Sequence, residues 1–140
     1  MAYTLNDYFR PLRTIFRVNG LINGLLLGFC MLFVPRFVVA LLGSSLDVDL
    51  WPLRFAGVYA MATGMYLLNR ANERTIPPAI SLLAIVINGL TAGVLLLAYL
   101  QQEIAPISLA GQIILTALFI LNLLGAVIPI RFMRSDYRRM

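Results

Sequence analysis

Residues 18–34 read VNGLINGLLLGFCMLFV, an uncharged run closed by Pro35 and preceded by Arg10, Arg13 and Arg17. A helix needs roughly 20 residues to cross a hydrocarbon core of about 30 Å. Three further apolar runs of comparable length follow, and together they predict spans at 18–34, 52–69, 77–100 and 108–130. The first two are short, so the arginines beside them are expected to snorkel toward the headgroups. Pro52 suits the first turn of a helix, where a missing N–H costs nothing. The expected fold is all-α: a single-domain, integral membrane four-helix bundle. Composition agrees. The chain is 61% hydrophobic and 12% charged, against about 45–50% and 25% for soluble domains.

The charges orient the spans. Arg10, Arg13 and Arg17 precede the first; Arg70 and Arg74 separate the second from the third; Arg131, Arg134, Arg138 and Arg139 follow the fourth. With four crossings all nine fall on one side, and the positive-inside rule makes that side cytoplasmic. The opposite side holds Arg36, Arg54, Asp47, Asp49 and Glu103. Both termini are therefore expected in the cytoplasm, at an inner membrane. The net charge of +5 then reflects topology, and no nucleic-acid partner is expected. All basic residues are Arg; a coding bias toward Arg is the plainer reading, and contact with phosphate headgroups is the functional one. Arg10, Arg13, Arg17, Arg131, Arg134, Arg138 and Arg139 are the candidates for anionic lipid. A cytosolic partner for the Arg-rich tail is the alternative.

Two short interfacial helices are expected. Residues 4–16 place Tyr8, Phe9, Leu12, Ile15 and Phe16 near one helical face, as in an amphipathic helix lying ahead of the first span, with Pro11 breaking or restarting it. Residues 36–42 suit a short helix stopped by Gly43. Trp51 is placed to anchor at the far interface. The first apolar run has no small-residue cleavage site, so it is not read as a signal peptide.

VNGLINGLLL at 18–27 is echoed by INGLTAGVLL at 87–96, an offset of 69 residues. Duplication of a two-helix hairpin would give parallel repeats; chance similarity between apolar stretches is the other reading. Gly20, Gly24 and Gly28 share one face, and Gly89 and Gly93 repeat the spacing. Such faces let membrane helices approach closely. The expectation is that the two faces pack on each other. The alternative is that one faces a partner protein.

Chemistry is constrained by what is missing. The chain has no His and one Cys, Cys30, so imidazole catalysis, haem ligation and CxxC redox chemistry have no residues to work with. The spans hold no Asp or Glu, which disfavours a proton-coupled carrier. No metal site is expected; Asp47 and Asp49 are too isolated to hold an ion. The polar residues within the spans are Asn19, Asn23, Asn88, Thr63, Thr91, Gln112, Thr116 and Asn122. They suit interhelical hydrogen bonds. A polar pocket built from Asn19, Asn23, Asn88 and Arg54 is the sharper alternative.

The glycine-spaced NGLINGLLLG at 19–28, LFVP at 32–35, LLG at 41–43 and RFAGVYAMATGMYLLNR at 54–70 resemble the DoxX-like group of small four-helix bacterial membrane proteins. The resemblance covers about the first half of the chain. It implies an accessory membrane subunit more readily than an autonomous enzyme, because some members of the group are membrane partners of quinone-dependent oxidoreductases. It transfers no catalytic residue. The expected function is a non-catalytic accessory or assembly subunit of a larger respiratory or photosynthetic inner-membrane complex. It needs no cofactor of its own and associates with other membrane subunits; a homo-oligomer is also compatible. The alternative is a binding or transport protein for a lipid, quinone or other hydrophobic ligand.

Overall fold

A computed structural model describes residues 9–43, 49–73, 76–104 and 106–137, with side chains described as far as Arg131. The expectations placed on Tyr8, Asp47, Arg74, Arg134, Arg138 and Arg139 lie outside these residues or side chains. Among these residues five helical segments carry the fold: α1 Arg10–Phe33, α2 Pro35–Leu41, α3 Trp51–Arg70, α4 Pro78–Leu100 and α5 Leu109–Tyr137. Among the described residues three helices are long and apolar enough to cross a membrane: Arg10–Phe33, Pro78–Leu100 and Leu109–Arg131. The α3 helix has 20 residues, but Arg54, Thr63 and its tyrosines dilute it, and it is not one of these three.

The first helix differs from expectation. No break separates an amphipathic approach helix from a span beginning at residue 18; one continuous helix starts at Arg10. Pro11 sits in its first turn, where proline starts a helix rather than breaking it. Leu12, Ile15, Phe16 and Asn19 are buried, the i, i+3, i+4, i+7 stripe of an amphipathic helix. Arg10 and Arg17 stand exposed on the other side.

This stripe makes the core. Leu12, Ile15 and Phe16 pack with Leu67 and Ala71 at the end of α3, and with Ile76, Ile80 and Ala84 at the start of α4. Each large side chain so buried is worth about 1.5–3 kcal/mol where the alternative is water. Polar contacts tie the same end together. Arg13 Nη2 donates to the Glu73 carbonyl at 2.8 Å and Arg17 Nη2 to Asn72 Oδ1 at 3.0 Å. Arg70 pairs with Glu73 and lies 5.2 Å from the Tyr66 ring centroid.

Further along, α1 packs on α3 through glycines. A Cβ on Gly24 would stand 2.9 Å from the Gly64 nitrogen, and one on Gly28 2.9 Å from the Gly57 carbonyl oxygen. These are backbone-to-backbone contacts that no side chain could relax. Residues Gly20–Leu26 form a π-helical stretch, and its geometry explains how three glycines at four-residue spacing serve one partner. On an α-helix a four-residue step drifts by about 40°. The wider π turn holds more residues, so it offsets that drift and keeps Gly20, Gly24 and Gly28 against α3.

The α4 and α5 helices form the second hairpin, packed closely on each other. The turn between them puts Gln102 at φ 59°, a left-handed conformation that costs a non-glycine residue roughly 1 kcal/mol. Gln102→Gly is expected to raise stability by about 0.5–1 kcal/mol, read as a higher midpoint of thermal unfolding in detergent. At this end α2, which stops at Gly43 with φ 73°, reaches the second hairpin: Ser108 Oγ donates to the Leu41 carbonyl at 2.5 Å.

Candidate functional site

Four carboxamides meet where α1, α4 and α5 converge. Asn19 Nδ2 donates to Asn88 Oδ1. Asn23 Nδ2 is shared between Asn19 Oδ1 at 2.6 Å and Asn122 Oδ1 at 3.1 Å. The outer members are fixed by their own helices: Asn88 Nδ2 bonds the Ala84 carbonyl at 2.7 Å, and Asn122 Nδ2 the Leu118 carbonyl at 2.7 Å. Asn19, Asn88 and Asn122 are buried and Asn23 is half-buried. Asn23 Oδ1 is shielded from solvent and accepts no hydrogen bond.

Gly125 makes the convergence fit. A Cβ there would stand 2.5 Å from Asn19 Nδ2 and 2.9 Å from Asn88 Cγ. Four residues on, the buried Pro129 has no N–H to offer the Gly125 carbonyl. The asparagine pair therefore lies against a stretch of α5 backbone that is both unshielded and less tightly bonded. Neither residue stood out in the sequence. The signal was there, since Gly125 is three residues after Asn122 and shares its face.

Of the expected pocket residues, Asn19, Asn23 and Asn88 come together; Arg54 does not. It is exposed in the first turn of α3. Gly64, the α3 residue level with Gly24, lies about 15 Å further along the helix by its rise per residue. Shared chemistry suggested the grouping, and helix length defeats it.

The expected contact between the two glycine faces is also corrected. Gly20, Gly24 and Gly28 pack on Gly57, Gly64 and Met61 of α3. Gly89 and Gly93 of α4 have nothing within 4 Å of where a Cβ would stand. The reason is rotational. α4 turns Ala84, Asn88 and Ala92 inward, and Gly89 is one residue, about 100°, away from that line. The sequence echo has a counterpart at one point, where the equivalent Asn19 and Asn88 bond each other. Its glycines, Gly24 and Gly93, sit in unlike surroundings.

The arrangement donates and accepts hydrogen bonds; carboxamides neither titrate nor act as nucleophiles at ordinary pH. Among the described residues no group of three or more His, Cys, Asp or Glu is placed to hold a metal. Cys30 is a half-buried free thiol. A separate open depression of about 460 Å³ lies at the far end of the second hairpin, against Tyr99, Gln102 and Gln112.

No protein-family model matches the chain, no curated protein aligns with it significantly, and no solved structure matches it.

Proposed function

We propose that this protein is a non-catalytic accessory or assembly subunit of a larger respiratory or photosynthetic inner-membrane complex. The observation that carries this reading is the division of labour among its small residues. One glycine face is consumed inside the chain, whereas Gly89 and Gly93 leave a strip of α4 open beside exposed Leu90 and Val94. The asparagines are engaged with one another and with the carbonyls of their own helices. Such a chain is equipped to pack rather than to react. The resemblance of its first half to DoxX-like membrane subunits points the same way.

Four crossings, with both termini cytoplasmic, fit this role. About 20 residues span the hydrocarbon. Counted from Arg17, Arg70 and Arg131, that length reaches Phe37, Leu50 and Gly111, each close to where the chain turns. On this reading α3 crosses with the others, and the arginine-rich end meets anionic headgroups. Gentle solubilisation of the native membrane, followed by sizing, tests the proposal. The expected result is an assembly well above the 15.6 kDa of the chain, with other membrane subunits co-purifying. A lone monomer in its detergent belt would count decisively against it.

The second reading, a binding protein for a lipid-soluble molecule, is favoured by one atom, Asn23 Oδ1.

A further inference from the structure

The α3 helix is held to the fold by one side. It packs closely on α1, through the seam of Gly57 and Gly64, and its last turn reaches the core through Leu67. Among the described long helices it alone falls short of the apolar content of a membrane span, so it gains most from being covered. Its four aromatic residues all lie on the other side. Trp51, Phe55, Tyr59 and Tyr66, with Ala62 and Asn69, stand about 120–180° round the axis from the two glycines, at about 100° per residue. All six are exposed.

From Phe55 to Asn69 the stripe steps by four and three residues in alternation, the spacing by which one helix lies along another at a shallow angle. Aromatic residues near the ends of a span suit the headgroup level, which accounts for Trp51 and Tyr66. It does not account for Tyr59, about 12 Å along the axis from Trp51 and about 16 Å from Arg70. Tyr59 is 61% exposed and edge-on to Phe55, with ring centroids 4.9 Å apart. No described residue bonds its hydroxyl. On the reading that α3 crosses the membrane, that hydroxyl faces hydrocarbon. It has no water to bond there, and it gains by meeting another helix.

The polar groups on the stripe select the helix it meets. A hydroxyl and a carboxamide each donate and accept, so Tyr59 and Asn69 can each bond a group identical to themselves. The charges, which could not, are kept away. Arg54 lies about 100° round from Phe55, and Arg70 pairs with Glu73. Copies inserted by the same charge rule stand parallel in the membrane. A two-fold axis along the membrane normal then brings each stripe residue to its own counterpart at the same depth. Ala62, in the middle of the stripe, lets the two backbones approach. We propose that the aromatic face of α3 is the contact between two copies of this chain, with the two Tyr59 hydroxyls bonded to each other. The proposal rests on α3 crossing the membrane, and it leaves the open strip at Gly89 and Gly93 for other subunits.

The test places one thiol on the full chain carrying Cys30→Ser. Ala62→Cys and Ala56→Cys are matched, since both alanines are exposed on α3, but Ala56 lies about 100° off the stripe. Thiols bridge only where their Cα atoms come within about 7 Å. Oxidised in the membranes of the cells that express it, the Ala62→Cys chain is expected to give about tenfold more of a disulfide-linked two-chain species than the Ala56→Cys chain. Energy transfer between labelled copies in phosphatidylcholine vesicles reads the affinity. Tyr59→Phe should weaken it about threefold, the worth of one interhelical hydrogen bond. Ala62→Leu should weaken it about tenfold or more by wedging the helices apart, and Ala56→Leu should leave it unchanged. Equal linkage at 62 and 56, or linkage at 62 only to a different protein, would overturn the contact. A membrane-impermeant maleimide separates the two readings. If it modifies the thiol at 62, α3 does not cross and the proposal falls with that reading. If the thiol is protected and no two-chain species forms, the crossing stands and the pairing alone fails.

Discussion

Gly64→Leu is expected to part α1 from α3 and to cost about 3 kcal/mol or more, at the upper end of what overpacking does. A Cβ at this position would stand 2.6 Å from the Gly20 carbonyl oxygen and closer still to the Gly24 Cα. Those are main-chain atoms of a packed helix, so no rotamer change relieves the clash. The helices must separate, and the contacts of Gly20, Gly24 and Gly28 go with them. Gly64→Ala already introduces the offending atom and should cost about 1–3 kcal/mol. Gly93→Ala is the control. Its new methyl meets open space, and alanine favours a helix interior over glycine by roughly 1 kcal/mol, so that variant should be as stable as the parent or more so. Unfolding in detergent, followed by circular dichroism, reads all three. A Gly64→Leu protein that melts with the parent would refute the glycine contact.

Asn88→Leu is the second large effect. It keeps the branched shape of the side chain but leaves Asn19 Nδ2 without its acceptor in a place with little access to water. An interhelical hydrogen bond in a membrane contributes about 0.6 kcal/mol on average, whereas stranding a buried polar group costs about 1–3 kcal/mol. The second figure governs, and a loss of about 2 kcal/mol is expected. Asn19→Leu should cost a similar amount, because it removes the partner of both Asn88 and Asn23. The double variant strands fewer groups than the two single changes added together. A double-mutant cycle should therefore return a coupling of about 1 kcal/mol or more. Strict additivity would mean that the two carboxamides do not meet.

The elements of this fold were legible where their signal is local. Apolar runs longer than a soluble helix needs announced the helices near 77–100 and 108–130, whose observed counterparts are Pro78–Leu100 and Leu109–Tyr137. The start of α1 was misplaced because hydropathy reads Arg10, Arg13 and Arg17 as interruptions, while a helix with an apolar stripe carries Arg10 and Arg17 on its exposed face and turns the half-buried Arg13 to the Glu73 carbonyl. Which glycines would meet was not legible. Gly57 and Gly64 recur at seven residues and Gly89 and Gly93 at four. Both spacings suit close packing, and the choice between them depends on how α4 is rotated once Asn88 faces inward. The asparagines were legible as a set of polar residues; Asn122 joined them only through tertiary geometry. Gly125 shares a face with Asn122, but its importance emerges only once Asn19 and Asn88 are placed against it.

The composition of the asparagine junction carries a bioenergetic consequence. Moving one elementary charge through a membrane potential involves about 2.3 kcal/mol per 100 mV. A junction of four carboxamides carries no formal charge and takes up no proton over the ordinary range of pH. An energised membrane and a collapsed one therefore present it with the same equilibrium, as do an acidic and an alkaline compartment. In any membrane that carries a potential, the asparagine junction would keep the same equilibrium as that potential rises and falls.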